Sequence, residues 1–159
     1  MDYHFAEVNY DGEPDSNVPD VPGHWHKLHD EHMTVLEGRV EFFMDGKSYV
    51  RGPGDPVLII PRTHVHGFRC FKGEKARIQE RTNPVAEGIK KDEFFENILA
   101  EGSMTMSSAF RASYVGDTVL VVTGIKTVDE VIRVVLGSLF TWMYPLKPAS
   151  KLADGMLAQ

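Results

Sequence analysis

Short apolar runs separated by turn-forming residues fill the first half of the chain, and this alternation limits the folds open to it. Asp45-Gly46 separates two of the runs, and this dipeptide favours a two-residue hairpin because both residues tolerate a positive φ. Gly52 to Asp55 supplies the next turn signal, and Pro61 ends the run that follows. Near-even spacing of short antiparallel strands predicts a mainly β fold, either a barrel or a sandwich. The predicted strands include residues 3–9, 40–44, 47–50, 57–60, 66–71 and 76–81.

After Pro84 the spacing of apolar residues lengthens to that of a helix. Between Val128 and Met143, apolar residues recur at three- and four-residue steps, which predicts a long amphipathic helix. Thr127 and Glu130 have the pattern of a capping box at its start.

The rest of the second half is less regular. Residues 93–100 predict another helix, whereas residues 104–123 fit either a helix or a strand. We therefore expect residues 1–84 to hold an N-terminal strand and the barrel core. Residues 85–159 are expected to form a mostly helical extension of the same domain.

Three histidines and a glutamate have the chemistry and the spacing of metal ligands. His24 and His26 are two residues apart, so on a strand they share one face, about 6.6–6.8 Å apart. Glu31 adds an anionic oxygen, and His66 comes from a later strand that a barrel would bring alongside. Imidazole with carboxylate suits Fe, Mn, Ni, Cu or Zn and does not choose among them. The sequence therefore predicts one divalent transition metal as the cofactor, with its identity open.

The composition excludes several classes of protein. The chain has 159 residues and a formal net charge of −6, which gives no electrostatic footprint for nucleic acid. The single cysteine, Cys70, excludes an internal disulfide and a cysteine-based zinc finger. No apolar run approaches the roughly 18 residues that span a bilayer, and the first residues lack the pattern of a signal peptide. We expect a cytoplasmic protein with a small-molecule substrate and with no nucleic-acid or membrane partner.

The segment around the candidate ligands resembles the cupin family. His24 to Gly38 fits the first cupin motif, HxHx₄Ex₆G, and Pro61 to His66 fits the PxGxxH end of the second, except that Thr63 replaces its glycine. The resemblance implies a cupin double-stranded β-helix, or jelly-roll, barrel with C-terminal helices packed on it. It also implies that the three histidines and the glutamate bind the metal inside that barrel. The helical tail resembles small fungal-type cupins of specialised metabolism.

Two further histidines are candidate catalytic residues. His29 either replaces Glu31 as a ligand, acts as a base, or lies in a loop or at the surface. His64 precedes His66 by two residues and either acts as an acid or base or belongs to a solvated loop. His32 should point away from the interior because neighbouring residues of a strand alternate between its faces.

Residues at alternate positions of the strands would face the barrel interior. Met33, Phe42 and Phe68 are therefore either substrate-contacting residues or ordinary core residues. Gln79 and Arg81 share one side of their strand and are the best candidates for orienting a substrate oxygen. An interior lined in this way favours a small apolar or aromatic, polyketide-like substrate.

Three functions are consistent with the ligand set and the resemblance. The leading hypothesis is a metal-dependent oxygenase in which the substrate chelates the metal and reacts with dioxygen. The first alternative is a non-redox isomerase, cyclase, dehydratase or decarboxylase that uses the metal as a Lewis acid. The second alternative is a metal-free small-molecule-binding cupin. The apolar stripe of the last helix also favours a homodimer.

Overall fold

The computed structural model describes residues 5–88, 91 and 105–144. The strands are β1 (Phe5–Tyr10), β2 (Asp20–His26), β3 (Asp30–Glu37), β4 (Val40–Met44), β5 (Lys47–Arg51), β6 (Leu58–Ile60), β7 (His66–Cys70), β8 (Ala76–Asn83) and β9 (Thr118–Leu120). The helices are α1 (Met106–Val115) and α2 (Lys126–Met143). Residues 85–88 and 91 also have helical backbone.

The strands form two antiparallel sheets with one core between them. The first sheet has the strand order β1-β8-β3-β6, and the second has the order β5-β4-β7-β2-β9. Met33 and Ile78 from the first sheet belong to the same buried cluster as Phe42 and Phe68 from the second. The mainly β, jelly-roll-like architecture expected from the sequence is therefore confirmed.

Two tight turns show why the sequence pattern indicated strands so clearly. The hairpin between β4 and β5 places Asp45 at φ 48° and Gly46 at φ 78°, the positive values that a two-residue hairpin turn of this kind requires. Gly38, the last residue of the first motif, has φ 72° and lies so close to the neighbouring backbone that a Cβ there would be 1.9 Å from the Lys75 carbonyl oxygen. A side chain at position 38 would therefore force β3 away from the chain segment before β8.

The segment that the sequence left open contains both a helix and a strand. The side chain of Thr105 caps α1 by accepting a hydrogen bond from the Ser108 N–H, in a capping box. The strand β9 then pairs with β2, so that Trp25 lies opposite Val119 and His26 opposite Thr118. The C-terminal extension is thus not only helical, because it adds a strand to the sheet that carries the histidines.

The capping box predicted for α2 is wrong. Ile125 occupies the N-cap position without a side-chain hydrogen bond, and Glu130 pairs with Arg133 through oxygens 2.8 and 2.9 Å from the guanidinium nitrogens. The start of the helix is instead joined to the preceding loop by Asp129, whose Oδ1 accepts a hydrogen bond from the Thr123 N–H at 2.7 Å. A carboxylate in the first turn of the helix therefore binds the loop before it, but it does not cap the helix's own N–H groups.

The apolar stripe of α2 divides into two parts. One part packs against α1, where the rings of Phe110 and Phe140 lie 6.5 Å apart and Gly137 allows close approach to Tyr114. The other part is exposed and consists of Val128, Val131, Val135, Leu139 and Met143. In the part of the chain that the structure describes, no helix is long and apolar enough to cross a membrane. The helix predicted at 93–100 lies outside the described residues.

Candidate metal centre

The structure brings the four predicted ligands together inside the barrel. His24 and His26 lie at the end of β2, Glu31 is the second residue of β3, and His66 begins β7 directly opposite His24. Each of the four offers a ligand atom, and these atoms all lie within 4.8 Å of one another. Their exposed fractions are 8% or less, so the cluster is shielded from bulk solvent.

The three imidazoles are oriented by backbone carbonyl groups. In each ring Nδ1 lies within 2.9 Å of a carbonyl oxygen and donates its proton there, which leaves Nε2 unprotonated. For His24, His26 and His66 the accepting carbonyls are those of Pro22, Asp117 and His64, respectively.

The atoms that face one another in the cluster fit a bound cation. Glu31 Oε1 lies 2.7 Å from His26 Nε2, and Glu31 Oε2 lies 3.0 Å from His66 Nε2. Both Nε2 atoms are buried and have no hydrogen-bond partner. Since each Nε2 lone pair faces a carboxylate oxygen, the arrangement needs a positive charge between them to be favourable. The residues present therefore fit a divalent transition metal with imidazole and carboxylate ligands.

Burial sets the charge of the candidate ligands. Burial lowers the pKa of His26 to about 4. Burial also lowers the pKa of His24 well below its ordinary value, and repulsion from the neighbouring His66 and His26 adds to this effect. Burial alone would raise the pKa of Glu31, but Lys91 and His26 outweigh it and the net shift is well downward. His24 and His26 are therefore neutral and Glu31 is ionised near neutral pH, which are the protonation states that metal binding requires.

A buried lysine in the C-terminal extension contacts the same carboxylate. Lys91 Nζ bonds to Oε1 of both Glu31 and Glu80, and its side chain is 7% exposed. Burial and the nearby Glu31 raise the pKa of Glu80. The sequence analysis missed both residues. The alternation along β8, where Ile78 is buried, could have shown that Glu80 faces inward, but no pattern in the sequence points to Lys91.

His29 lies beside the ligands, which is the position that a role as a ligand or a base requires. Its ring stacks on that of His26 with centroids 4.1 Å apart, and its Nε2 lies 3.8 Å from Glu31 Oε1. Its Nδ1 lies 3.2 Å from Asp117 Oδ2, a residue that the sequence did not single out. Burial lowers the pKa of His29, but the carboxylates of Asp117 and Glu31 raise it further, and the net shift is upward.

His64 lies outside the cluster. Its imidazole is half-exposed, and Nδ1 lies 2.5 Å from Asp45 Oδ2 in the β4–β5 turn. What His64 contributes to the centre is its backbone carbonyl, which orients His66. The side chain is therefore not placed to act as an acid or base at the ligands.

The predicted substrate-contacting residues divide into an inward and an outward group. Met33, Phe42 and Phe68 are buried in the core, where the two phenylalanine rings lie 6.0 Å apart. Gln79 and Arg81 bond to each other on the opposite face of β8, with Arg81 exposed.

The placement expected for Gln79 and Arg81 is therefore corrected. The burial pattern of β8 puts its even-numbered residues inside, and Ile78 and Thr82 are buried. The polar side chains that β8 directs inward are those of Glu80 and Thr82, since successive residues of a strand face opposite sides.

The sequence profile of the cupin domain matches residues 17–79. These residues contain all four candidate ligands and the strands from β2 to β7, together with the first four residues of β8. No curated protein sequence matches the chain.

Solved structures with a similar fold include enzymes of several kinds. The L-ribose isomerase of Cellulomonas parahominis is 18% identical, with a TM-score of 0.36, over 38% of this chain and 43% of that chain. An RmlC-like cupin from Shewanella frigidimarina is 20% identical, with a TM-score of 0.42, over 52% and 66%. The polyketide cyclase RemF from Streptomyces resistomycificus is 27% identical, with a TM-score of 0.39, over 52% and 55%. In each case the match spans less than two thirds of the other protein. Residues 17–79 of this chain therefore match the cupin domain, and the ligand motif on β2 and β3 lies within that match.

Proposed function

We propose that this protein is a metal-dependent enzyme that acts on a small organic molecule. His24, His26, Glu31 and His66 would hold one divalent transition metal. The supporting observation is the convergence of three imidazoles and one carboxylate in a buried site, with their ligand atoms within 4.8 Å of one another. Such a ligand set leaves coordination positions for a substrate.

The groups around the ligands favour proton transfer. When bound, the metal supplies Lewis acidity that polarises a substrate carbonyl or enolate oxygen. Both ring nitrogens of His29 are buried without a well-aligned hydrogen bond. Nε2 lies 3.8 Å from Glu31 Oε1, and Nδ1 lies 3.2 Å from Asp117 Oδ2 on the other side of the ring. His29 is therefore placed to take a proton from a bound substrate and return it. These roles support an isomerase, cyclase or lyase that works without net oxidation.

The residues that follow the ligands along the strands favour an apolar substrate. Met33 lies two residues beyond Glu31 on β3, and Phe68 lies two residues beyond His66 on β7, so each shares a face with a ligand. Phe42 lies directly opposite Phe68. A small aromatic or polyketide-like molecule with an enolisable carbonyl combines the apolar contact with an oxygen for the metal.

A second candidate function is an oxygenase at the same site. The observation that favours it is the ligand chemistry, because three imidazoles and a carboxylate suit the redox-active metals Fe, Mn, Ni and Cu. The two functions share their ligands and differ in their need for dioxygen. Turnover of 1,3-dicarbonyl and phenolic test substrates with and without oxygen separates them, since only an oxygenase would stop under anaerobic conditions.

Metal content tests the proposal shared by both functions. Elemental mass spectrometry on the purified wild type should find about one transition metal per chain, and the double variant His26→Ala/His66→Ala should find almost none. His32→Ala is the matched control, because His32 lies on the opposite face of β3 from the buried Glu31 and should leave the metal content unchanged. Wild-type protein that stays free of metal even after reconstitution would overturn the proposal and favour a metal-free binding barrel.

A further inference from the structure

We propose that Asp117 is the residue through which the C-terminal extension positions both His26 and His29. Its carbonyl oxygen accepts the Nδ1–H of His26 at 2.7 Å. Its carboxylate Oδ2 lies 3.2 Å from His29 Nδ1 and accepts a hydrogen bond from the Leu28 N–H at 2.5 Å. One residue of the extension thus orients a candidate metal ligand and the adjacent imidazole.

The position of Asp117 follows from strand pairing. Asp117 immediately precedes β9, and the pairing of Thr118 with His26 brings it to the end of β2. The side chain is half-buried, so its carboxylate interacts with His29 partly away from water. The cupin profile ends at residue 79, so this contribution comes from a part of the chain that the family motif does not include.

The chemical effect of the carboxylate is to select one tautomer of His29. A neutral imidazole has one N–H donor and one acceptor nitrogen, and a carboxylate at Nδ1 retains the proton there. The free lone pair is then on Nε2, which lies 3.8 Å from Glu31 Oε1. Asparagine at position 117 would not change this, because the Oδ2 that faces Nδ1 also accepts the Leu28 N–H and would stay an oxygen. Leucine would remove the acceptor, and the proton would then favour Nε2, which faces the Glu31 carboxylate.

The chain offers a matched control for this interaction. Away from the cluster, Asp45 also contacts an imidazole and a backbone N–H. Its Oδ2 lies 2.5 Å from His64 Nδ1, and its Oδ1 accepts a hydrogen bond from the Val65 N–H at 3.1 Å. Asp45→Leu therefore removes a carboxylate–imidazole pair and a backbone acceptor without touching His29.

Long-range ¹H–¹⁵N spectra of metal-free protein labelled at histidine give the direct test. In the wild type, His29 should carry its proton on Nδ1. In Asp117→Leu the Nε2–H form should become the major one, whereas Asp45→Leu should leave His29 as in the wild type. Asp117→Glu, which keeps a carboxylate, should largely keep the Nδ1–H form and also shows whether the position tolerates substitution. An unchanged tautomer in a folded Asp117→Leu protein would overturn the proposal.

Metal content and kinetics distinguish positioning from ligation. This part of the test depends on the proposed metal-dependent activity, whereas the spectra do not. Asp117→Leu should keep the wild-type metal content, because all four ligands remain. Its kcat should fall about 10²- to 10⁴-fold, the range for losing a general base, with little change in KM. Loss of metal specific to Asp117→Leu would identify Asp117 as a ligand, since His26, His29 and Asp117 also offer ligand atoms within 4.8 Å, and would overturn the positioning role.

Discussion

Thr63 adopts a backbone conformation that its side chain disfavours. Its φ of 69° lies in the left-handed region, and it occupies the position that glycine holds in the second cupin motif. Its N–H donates a 2.6 Å hydrogen bond to the carbonyl of His26, so the conformation serves to hold the loop against the end of β2. The left-handed region costs an ordinary L-residue about 1–2 kcal/mol, and more crowding follows from a β-branched side chain.

We expect Thr63→Gly to stabilise the fold. Removing the left-handed strain stabilises the folded state by about 1–2 kcal/mol, and the extra chain entropy that glycine loses on folding costs roughly 0.5–1 kcal/mol. The free energy of unfolding should therefore rise by about 0.5–1 kcal/mol. Urea unfolding of the metal-free protein measures it. Thr34→Gly is the control, because Thr34 lies within β3 and its replacement should destabilise by a similar amount. A loss of stability in Thr63→Gly would contradict the expectation.

Lys91 neutralises two buried carboxylates, and its removal should be costly. In Lys91→Met the carboxylates of Glu31 and Glu80 would lose the ammonium group that lies between them. Breaking a buried ion pair by removing one partner costs about 3–5 kcal/mol, because a charge is left in the interior. We therefore expect a loss of this size in the unfolding free energy of the metal-free protein.

An exposed lysine provides the comparison for Lys91. Lys75 Nζ lies 3.3 Å from Glu37 Oε1, and both side chains are largely exposed, at 64% and 45%. Lys75→Met should therefore cost only about 0–1 kcal/mol. If the two variants lost similar, small amounts of stability, Lys91 would not be a buried counter-ion.

Single residues were predicted best where a motif fixed both their type and spacing. The ligand positions His24, His26, Glu31 and His66 follow from strand alternation and the cupin motif, and the structure brings them together. Asp117 and Lys91 reach the cluster through contacts between segments distant in sequence, which no local pattern encodes, whereas the alternation along β8 already places Glu80 on its inner face. The alternation predicted for β8 was correct, but Gln79 and Arg81 were expected inside the barrel, whereas the even-numbered residues of the strand face inward.

At the scale of the elements, α2 depends on a carboxylate in its first turn. Asp129 Oδ1 accepts hydrogen bonds from Val122 N–H, Thr123 N–H and the Thr123 hydroxyl at 3.2, 2.7 and 2.8 Å. Burial raises the pKa of Asp129, but these donors outweigh it and the net shift is downward from 3.8. Because the folded-state pKa is depressed, the stabilisation is present above the unfolded-state pKa and is lost as the pH falls through the folded-state pKa.

Asp129→Asn should therefore destabilise the protein in a pH-dependent way. We expect a loss of about 1–2 kcal/mol at pH 7, since an amide oxygen is a weaker acceptor than a carboxylate. The difference from the wild type should shrink as the pH falls below about 4, where this aspartate is protonated in the unfolded chain, and should vanish below its lower folded-state pKa. Urea unfolding between pH 3 and 7 measures it. Asp15→Asn, at an exposed loop position, should show little difference at any pH.

Some helices and strands were predicted from the sequence more clearly than others. The β4–β5 hairpin and the amphipathic period of α2 were clear because they arise from local geometry. The strand β9 is only three residues long, and its pairing with β2 is a long-range contact, so its local sequence left helix and strand open. The capping box was predicted from residue types, whereas the reach of Asp129 back to Thr123 depends on the loop conformation.

For the whole molecule, the homodimer stays a prediction. The outer face of α2 exposes Val131 and Val135 at 55%, Leu139 at 44% and Trp142 at 81%, more apolar surface than a lone helix face usually leaves in water. Light scattering should give the mass of a dimer for the wild type and of a monomer for Val135→Glu/Leu139→Glu. Val50→Glu is the control, because Val50 is 49% exposed on β5 and should leave the mass unchanged. A monomeric wild type would contradict the prediction.

The short strand β9 has a consequence for how this protein avoids aggregation. In the strand order β5-β4-β7-β2-β9, it pairs with the outer edge of β2 at His24, Trp25 and His26. Without it, β2 would be an edge strand with unpaired N–H and C=O groups, which are a template for pairing with other chains. A barrel shortened to the cupin motif would therefore expose its ligand strand to intermolecular β-pairing. The C-terminal extension thus shields the edge of β2 from strand pairing with other chains, at the same place where it supplies Asp117.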